Sequence, residues 1–325
     1  MLKILGMEPK SLQQAILYFA KPENCREYLV ARRWHDGVVC PRCGSKNVLF
    51  LEKYNRWHCR EKHAAPQFTL KTGTIFEDSP VGLDKWLTAM WMIVNCKNGV
   101  SSWEIHRSIK VTQKTAWFML HRIRLALQDE QGGKLGGPNG TIEADETFIG
   151  GKARNMHKAR RQRMTTIGKY TAKTAILGML ERGGKVRTKV IGKRDGKLMN
   201  QIVRENVTDG SGIMTDEFPG YRALSNDYTH QIVNHLDRYV QGNVHTQGIE
   251  NFWSLLKRGL GGTYVAVEPF HLFRYVDEQA FRFNNRATHD NPLNDSDRFD
   301  AAIRQIVGKR LTYSELTGKE RQEAF

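Results

Sequence analysis

The spacing of apolar and polar positions changes character several times along the chain. Leu12, Ile16, Tyr18 and Phe19 recur at roughly helical intervals and predict one or two short helices within residues 1–30. From Gly37 to about Phe76 the apolar runs shorten into β-like pieces around a Cys-Pro-x-Cys-Gly knuckle. Residues 83–128 return to a helical period in LDKWLTAMWMIVN, SSWEIHRSIK and TQKTAWFMLHRIRLAL. Trp86, Met90, Trp91 and Val94 form a stripe there of the kind that packs into a core. The Gly-rich stretch QGGKLGGPNG, residues 131–140, then interrupts every period and reads as a linker.

Beyond the linker, TIEADETFI, TAILGML, VRTKVIG and SGIMTDEF are short runs rich in Ile, Val and Thr that predict strands. LMNQIVREN predicts a helix between the third and fourth of them, and HQIVNH a further short strand. A helix follows around Glu250, and PFHLFRYVDEQAFRFNNR makes a final long one. Three successive strands, then strands alternating with helices, predict an α/β mixed sheet with helices on its faces. The expected organisation is a helical segment at 1–36, a metal-binding module at 37–76, a helical region at 77–130, the linker, a sheet domain at 141–290 and a tail at 291–325.

In the second segment Cys40 and Cys43 stand two residues apart, and Cys59 and His63 follow with three residues between them. A thiolate pair followed at this distance by a second pair is the spacing of a zinc ribbon, in which tetrahedral Zn2+ takes sulfur and imidazole nitrogen. Lys62 stands where a fourth cysteine would be expected, and His58 rivals His63 as the fourth ligand. A site filled by four protein ligands is structural and performs no chemistry. Cys25 and Cys96 read as core residues on helices. An odd count of five cysteines suits a reducing compartment and a metal better than disulfides.

The stretch from Ser101 to Leu127 has the outline of a helix-turn-helix, with Ser101 or Ser102 as N-cap and a turn near Lys110–Thr112. Its second helix is expected to turn Gln113, Lys114, Arg122 and Arg124 outward and to pack Trp117, Leu120 and Leu127 inward. An ordinary helical pair would show the same pattern.

Charge narrows the range of partners. Fifty Lys and Arg against 34 Asp and Glu leave a net charge of +16 and a pI near 9.7, a balance that favours nucleic acid. Residues 152–173 contain Lys152, Arg154, Lys158, Arg160, Arg161, Arg163, Lys169 and Lys173 and no acid, as a segment tracking a phosphate backbone would. No apolar run approaches the roughly 20 residues of a membrane span. Polar residues interrupt the N-terminal stretch before it resembles a signal peptide, so the expected location is cytoplasmic, without membrane contact.

Against this basic background three acids stand out. Asp145 and Asp216 lie at the ends of short apolar runs that read as strands, and Glu250 lies on an amphipathic helix. Strand alternation places Glu143, Asp145 and Thr147 on one face, and two carboxylates there need a cation or a partner. Asp216 ends its strand before Pro219-Gly220 turns the chain. Ile249, Phe252, Trp253, Leu256 and Leu260 form the stripe that would dock the third element, leaving Glu250 and Lys257 at its edge, with Thr246 as N-cap. Clustered carboxylates suit a hard divalent cation. Glu143, Glu146, Glu217 and Asn251 are the neighbours most easily mistaken for ligands.

ADETFIGGK, MTDEFPGY and HTQGIENFWSLLKRGLGGTY resemble the three signature blocks of bacterial insertion-sequence DDE transposases. The nearer resemblance is to the ISXO-like group, with an N-terminal zinc ribbon and a ribonuclease-H-like catalytic domain. CPRCGS, QFTLKTGTIFEDS, HLFRYVDEQAFRFNNR and RLTYSELTG extend it over nearly the whole chain. The resemblance implies a DNA strand transferase in which Asp145, Asp216 and Glu250 hold Mg2+ or Mn2+ and Lys257 matches the basic residue after the glutamate. Asn251 keeps a lesser claim to the third position. Implied partners are element terminal inverted repeats, target DNA and further copies of the chain, at the nucleoid. Two other readings remain open: a metal-dependent nuclease without strand transfer, and a DNA-binding regulator whose carboxylates only support the fold.

Overall fold

A computed structural model describes residues 8–128, 132–138, 140–151, 158–159, 162, 173–233, 245–289 and 291–318. The chain divides into two units, one formed by residues 1–128 with 285–325 and the other by residues 129–284. Most of the basic run at 152–173 lies outside the described residues, Lys158 and Lys173 excepted.

The first unit opens with α1 (Leu12–Phe19), whose N-cap Ser11 accepts the backbone N–H of Gln14, and α2 (Pro22–Arg33), which begins on a proline. Strands β1 (Val48–Leu51), β2 (Arg56–Cys59) and β3 (Gln67–Phe68) form a small antiparallel sheet. The helices α3 (Leu83–Asn95), α4 (Ser102–Ile109) and α5 (Gln113–Ala126) follow. Ser101 and Glu104 form a reciprocal capping box on α4, Lys110 closes it in the left-handed conformation, and Thr112 caps α5. The turn therefore falls where the sequence places it.

The outward face expected of α5 does not extend to its C-terminal half. Arg122 and Arg124 are 4% and 1% exposed. Arg122 donates to the carbonyl of Glu77 and lies over the rings of Trp86 and Phe118. Spacing alone gave two arginines the solvent side, but a guanidinium supplied with carbonyls and aromatic faces is tolerated inside. Lys114, at the start of α5, is exposed.

Residues 291–318, expected as a tail, carry α9 (Asp295–Arg304) and α10 (Tyr313–Thr317), each started by a capping box. Phe299 of α9 sits among Phe19, Tyr28 and Trp91, with ring centroids 5.0–5.7 Å apart. This aromatic cluster makes the C-terminal helices part of the first unit's core.

The second unit is built on five strands: β4 (Thr141–Ile149), β5 (Thr174–Glu181), β6 (Val186–Gly192), β7 (Gly212–Thr215) and β8 (Thr229–Ile232). Their order is β6-β5-β4-β7-β8. β4, β5 and β6 are antiparallel neighbours, whereas β7 runs parallel to β4 and β8 parallel to β7. This is the mixed α/β sheet anticipated from the sequence.

Helix α6 (Gly196–Asn206) covers one face, where Met199, Ile202 and Val203 meet Ile142, Ala144, Leu177, Met179 and Ile213. Helices α7 (Gln247–Gly259) and α8 (Leu272–Asn284) cover the other. The docking stripe of α7 behaves as its spacing predicts: Ile249, Phe252, Trp253, Leu256 and Leu260 are all buried. Each contributes about 1.5–3 kcal/mol on burial, so packing rather than propensity holds α7 in place.

Candidate active site and metal centre

The strand register brings the first two acids together. Thr141, Ile142 and Glu143 of β4 pair with Gly212, Ile213 and Met214 of β7. Asp145 and Asp216 each lie two residues beyond the last of these pairs, Asp145 in the middle of β4 and not at a strand end as expected, Asp216 just past the end of β7, and the charge of Asp216 acts on Asp145. Glu143 and Asp145 lie on the face of β4 that α7 packs against. Burial, followed by the neighbouring charges of Glu146 and Asp216, pushes the Asp145 carboxyl up to about 6, against an opposing hydrogen bond from Trp253.

Glu250 lies on α7, exposed, with Oε1 accepting from the Thr246 hydroxyl at 3.0 Å. Its flanking residues are fixed to β4. The N–H of Ile249 donates to Glu143 Oε2 at 2.9 Å, and Trp253 Nε1 donates to Asp145 Oδ2 at 3.0 Å. Lys257 is exposed two turns further along the same edge. The helix N-cap differs from expectation: the Thr246 side chain makes no capping bond, and Glu143 supplies the acceptor from the underlying strand β4.

The acidic neighbours have structural partners of their own. Glu143, 1% exposed, takes Arg182 Nε at 2.9 Å and lies 3.4 Å from His245 Nδ1. Glu146 points to the opposite face, where it accepts from the Tyr221 hydroxyl at 2.6 Å and pairs with Arg194. Arg194 also donates to Asp216 Oδ2 at 3.0 Å and stacks over Phe218, while Asp216 Oδ1 takes the N–H of Phe218. Glu217 and Asn251 are exposed.

A hard cation suits this donor set, because Asp145 and Asp216 bring negative charge into a partly desolvated place, where Arg194 is the guanidinium bonded to Asp216 among the described residues. The three acids are not drawn to within 4.8 Å of one another as a group. Among the described residues, only Cys40, Cys43, Cys59 and His63 meet that spacing.

In that second cluster Cys40 Sγ lies 3.6 Å from His63 Nε2, and Cys43 Sγ lies 3.6 Å from Cys59 Sγ. Ligands at Zn–S and Zn–N distances on tetrahedral corners are separated by about 3.6–3.8 Å. The four groups therefore fit one zinc ion. Gly44, with φ of 74°, turns the knuckle so that its N–H returns to the carbonyl of Cys40. His58 lies on β2 next to Cys59, and strand alternation sends its side chain to the other face.

Residues 137–284 match the family model described as an ISXO2-like transposase domain, and residues 22–61 match a transposase zinc-ribbon domain. An uncharacterized transposase-like protein of Haemophilus influenzae is 31% identical over 102 residues, spanning 31% of this chain and 82% of that protein. The chain belongs to the ISXO2-like DDE transposases. A protein of the transposable element ISH50 in Halobacterium salinarum is 28% identical over 255 residues, covering 74% of this chain and 84% of that protein. Among the described residues no helix is long and apolar enough to cross a membrane.

Asp145, Asp216, Glu250 and Lys257 all fall inside the matched transposase domain, and the zinc-ribbon match includes Cys40, Cys43 and Cys59 of the cluster but ends before His63. Sequence reasoning about this transposase passed over Arg182, Arg194 and Tyr221, and it assigned Trp253 only to the core. Two buried acids on one strand, Glu143 and Glu146, were the available signal, since each required a cation or donor from elsewhere in the fold.

Proposed function

We propose that this transposase cleaves the ends of its element and joins the freed 3′-hydroxyl to target DNA, with Asp145, Asp216 and Glu250 as the carboxylates that hold divalent metal, Mg2+ or Mn2+. The observation that supports this reading is the parallel β4–β7 register, from which Asp145 and Asp216 each follow by two residues, with Asp145 hydrogen-bonded to Trp253 of the helix that carries Glu250. A bound pair of such ions would supply charge neutralisation for the attacking and leaving oxygens of a phosphodiester.

The chain's own groups orient and hold. Trp253 and Glu143 fix α7 against β4, and the exposed Glu250 and Lys257 of that helix would serve as third carboxylate and phosphate contact. In the first step water adds to phosphorus and the bond to the element's terminal 3′-oxygen breaks, releasing the 3′-hydroxyl. In the second, that oxygen bonds to a target phosphorus and a target 3′-oxygen leaves with the proton. No covalent enzyme intermediate is required. The terminal inverted repeats and target DNA are the partners, in an assembly of several copies acting in the cytoplasm at the nucleoid.

Replacing Asp145 with Ala tests this reading on DNA carrying element ends. Loss of metal-dependent cleavage with DNA binding retained is expected, and undiminished cleavage would overturn the assignment. A supercoiled target in the same reaction distinguishes strand transfer from a nuclease: joined products are expected, and cut products alone would remove the joining step.

A further inference from the structure

The indole of Trp253 occupies a position that a core residue alone does not require. It is 3% exposed, it belongs to the stripe that docks α7, and its one polar atom meets Asp145 Oδ2 at 3.0 Å. A buried indole N–H needs an acceptor, and any of several apolar side chains would fill the same volume without that need. Room for the ring is provided by the residue opposite Asp145 on the adjacent strand. Asp145 pairs with Gly178 of β5, and a Cβ at Gly178 would lie 2.5 Å from Cζ2 and 2.7 Å from Cη2 of Trp253. The glycine has no unusual backbone angle to explain it, so the space it leaves is the physical account of its presence.

We propose that Trp253 is a positioning residue for the metal-dependent reaction, holding one carboxylate oxygen of Asp145 through its indole N–H, with Gly178 as the gap that admits the ring. This rests on the assignment of Asp145 as a metal-binding carboxylate. Without the N–H, Asp145 rotates more freely about its side chain, and a cation must order it on binding. A hydrogen bond to a charged group is strong enough that its loss should change apparent metal affinity about tenfold.

The test replaces the donor and keeps the ring. Trp253 is exchanged for 3-benzothienylalanine, in which sulfur takes the place of the N–H, and Trp253→Phe serves as a second variant. Mn2+ binding is followed by the loss of free-ion paramagnetic resonance signal, beside melting temperature, DNA binding and the Mn2+ concentration giving half-maximal cleavage. The expected result for the isostere is Mn2+ binding weakened about tenfold, with melting temperature and DNA affinity close to the parent. Cleavage should then be largely restored by excess metal. Unchanged Mn2+ binding in the isostere overturns the proposal and returns Trp253 to a packing role. Weakening that merely tracks a fall in melting temperature in both variants overturns it as well. Asp145→Ala is run in parallel: Mn2+ binding unaffected by that change sinks the metal-site assignment itself, a failure distinct from that of Trp253.

Discussion

Glu143 on β4 accepts the N–H of Ile249 at 2.9 Å and so caps helix α7 from the sheet face beneath it. The same carboxylate is buried and paired with Arg182 at 2.9 Å. Replacing Glu143 with Ala leaves a guanidinium, a helix N–H and His245 without their shared acceptor. The expected loss is about 3–5 kcal/mol of stability, the range for breaking a buried ion pair. Glu143→Gln keeps an acceptor for Ile249 and should lose less. Urea unfolding of the two variants measures both, and equal stability of all three proteins would show that the cap carries no weight.

Arg194 and a divalent cation would compete for Asp216, because Nη2 of Arg194 already donates to Oδ2 of that carboxylate at 3.0 Å. Arg194→Gln removes the competing charge. Mn2+ should bind more tightly to this variant, while stability falls because Glu146 loses its ion pair and retains the Tyr221 hydroxyl. Calorimetric titration reads the first effect and thermal melting the second. Weaker Mn2+ binding with the fold intact would show that the guanidinium supports the metal-binding arrangement instead.

The raised carboxyl of Asp145 makes a signed prediction. Its native value of about 6 lies above the usual 3.8, so between these two pH values the folded protein holds a proton that the unfolded chain has released. Metal-free stability from this group therefore falls as pH rises through the window and stays low above it. Asp145→Asn should flatten that part of the melting-temperature profile. A divalent cation favours the charged form, so added Mn2+ should raise the melting temperature more at about pH 7.5 than at about pH 5. Cleavage should likewise rise with pH through about 6. A stabilisation by Mn2+ that is the same on both sides of that value would contradict the account.

How far the sequence reached depended on the range of the interaction. Local signals were legible: the Ser101 cap, the turn at Lys110, the α7 stripe and the thiolate knuckle all arise from residues a few positions apart. The strands of the sheet were visible from their apolar runs; Asp216 follows the end of its strand as expected, whereas Asp145, expected at a strand end, lies in the middle of β4. The register that sets β7 beside β4 depends on a pairing across roughly seventy residues, which no local pattern encodes. Thr246 illustrates the same limit, since a good capping residue was displaced from that role by Glu143, more than a hundred positions earlier in the chain. Arg122 and Arg124 show the reverse error, in which charge was taken for exposure: both are buried, and Arg122 meets the Glu77 carbonyl and the rings of Trp86 and Phe118.

The zinc centre gives the last prediction, and it separates the two histidines. His63 Nε2 lies 3.6 Å from Cys40 Sγ, whereas His58 lies on the strand face turned away from Cys59. His63→Ala should lower the zinc content of purified protein from about one ion per chain and loosen the small β1-β2-β3 sheet, because a structural site contributes folding energy directly. His58→Ala should retain the metal. Elemental analysis with limited proteolysis across residues 37–76 reads both outcomes. Removal of the ion by a strong chelator should reproduce the His63→Ala pattern in the parent. Zinc retained by His63→Ala but lost by His58→Ala would transfer the fourth ligand to the other histidine and require a different strand face at Cys59.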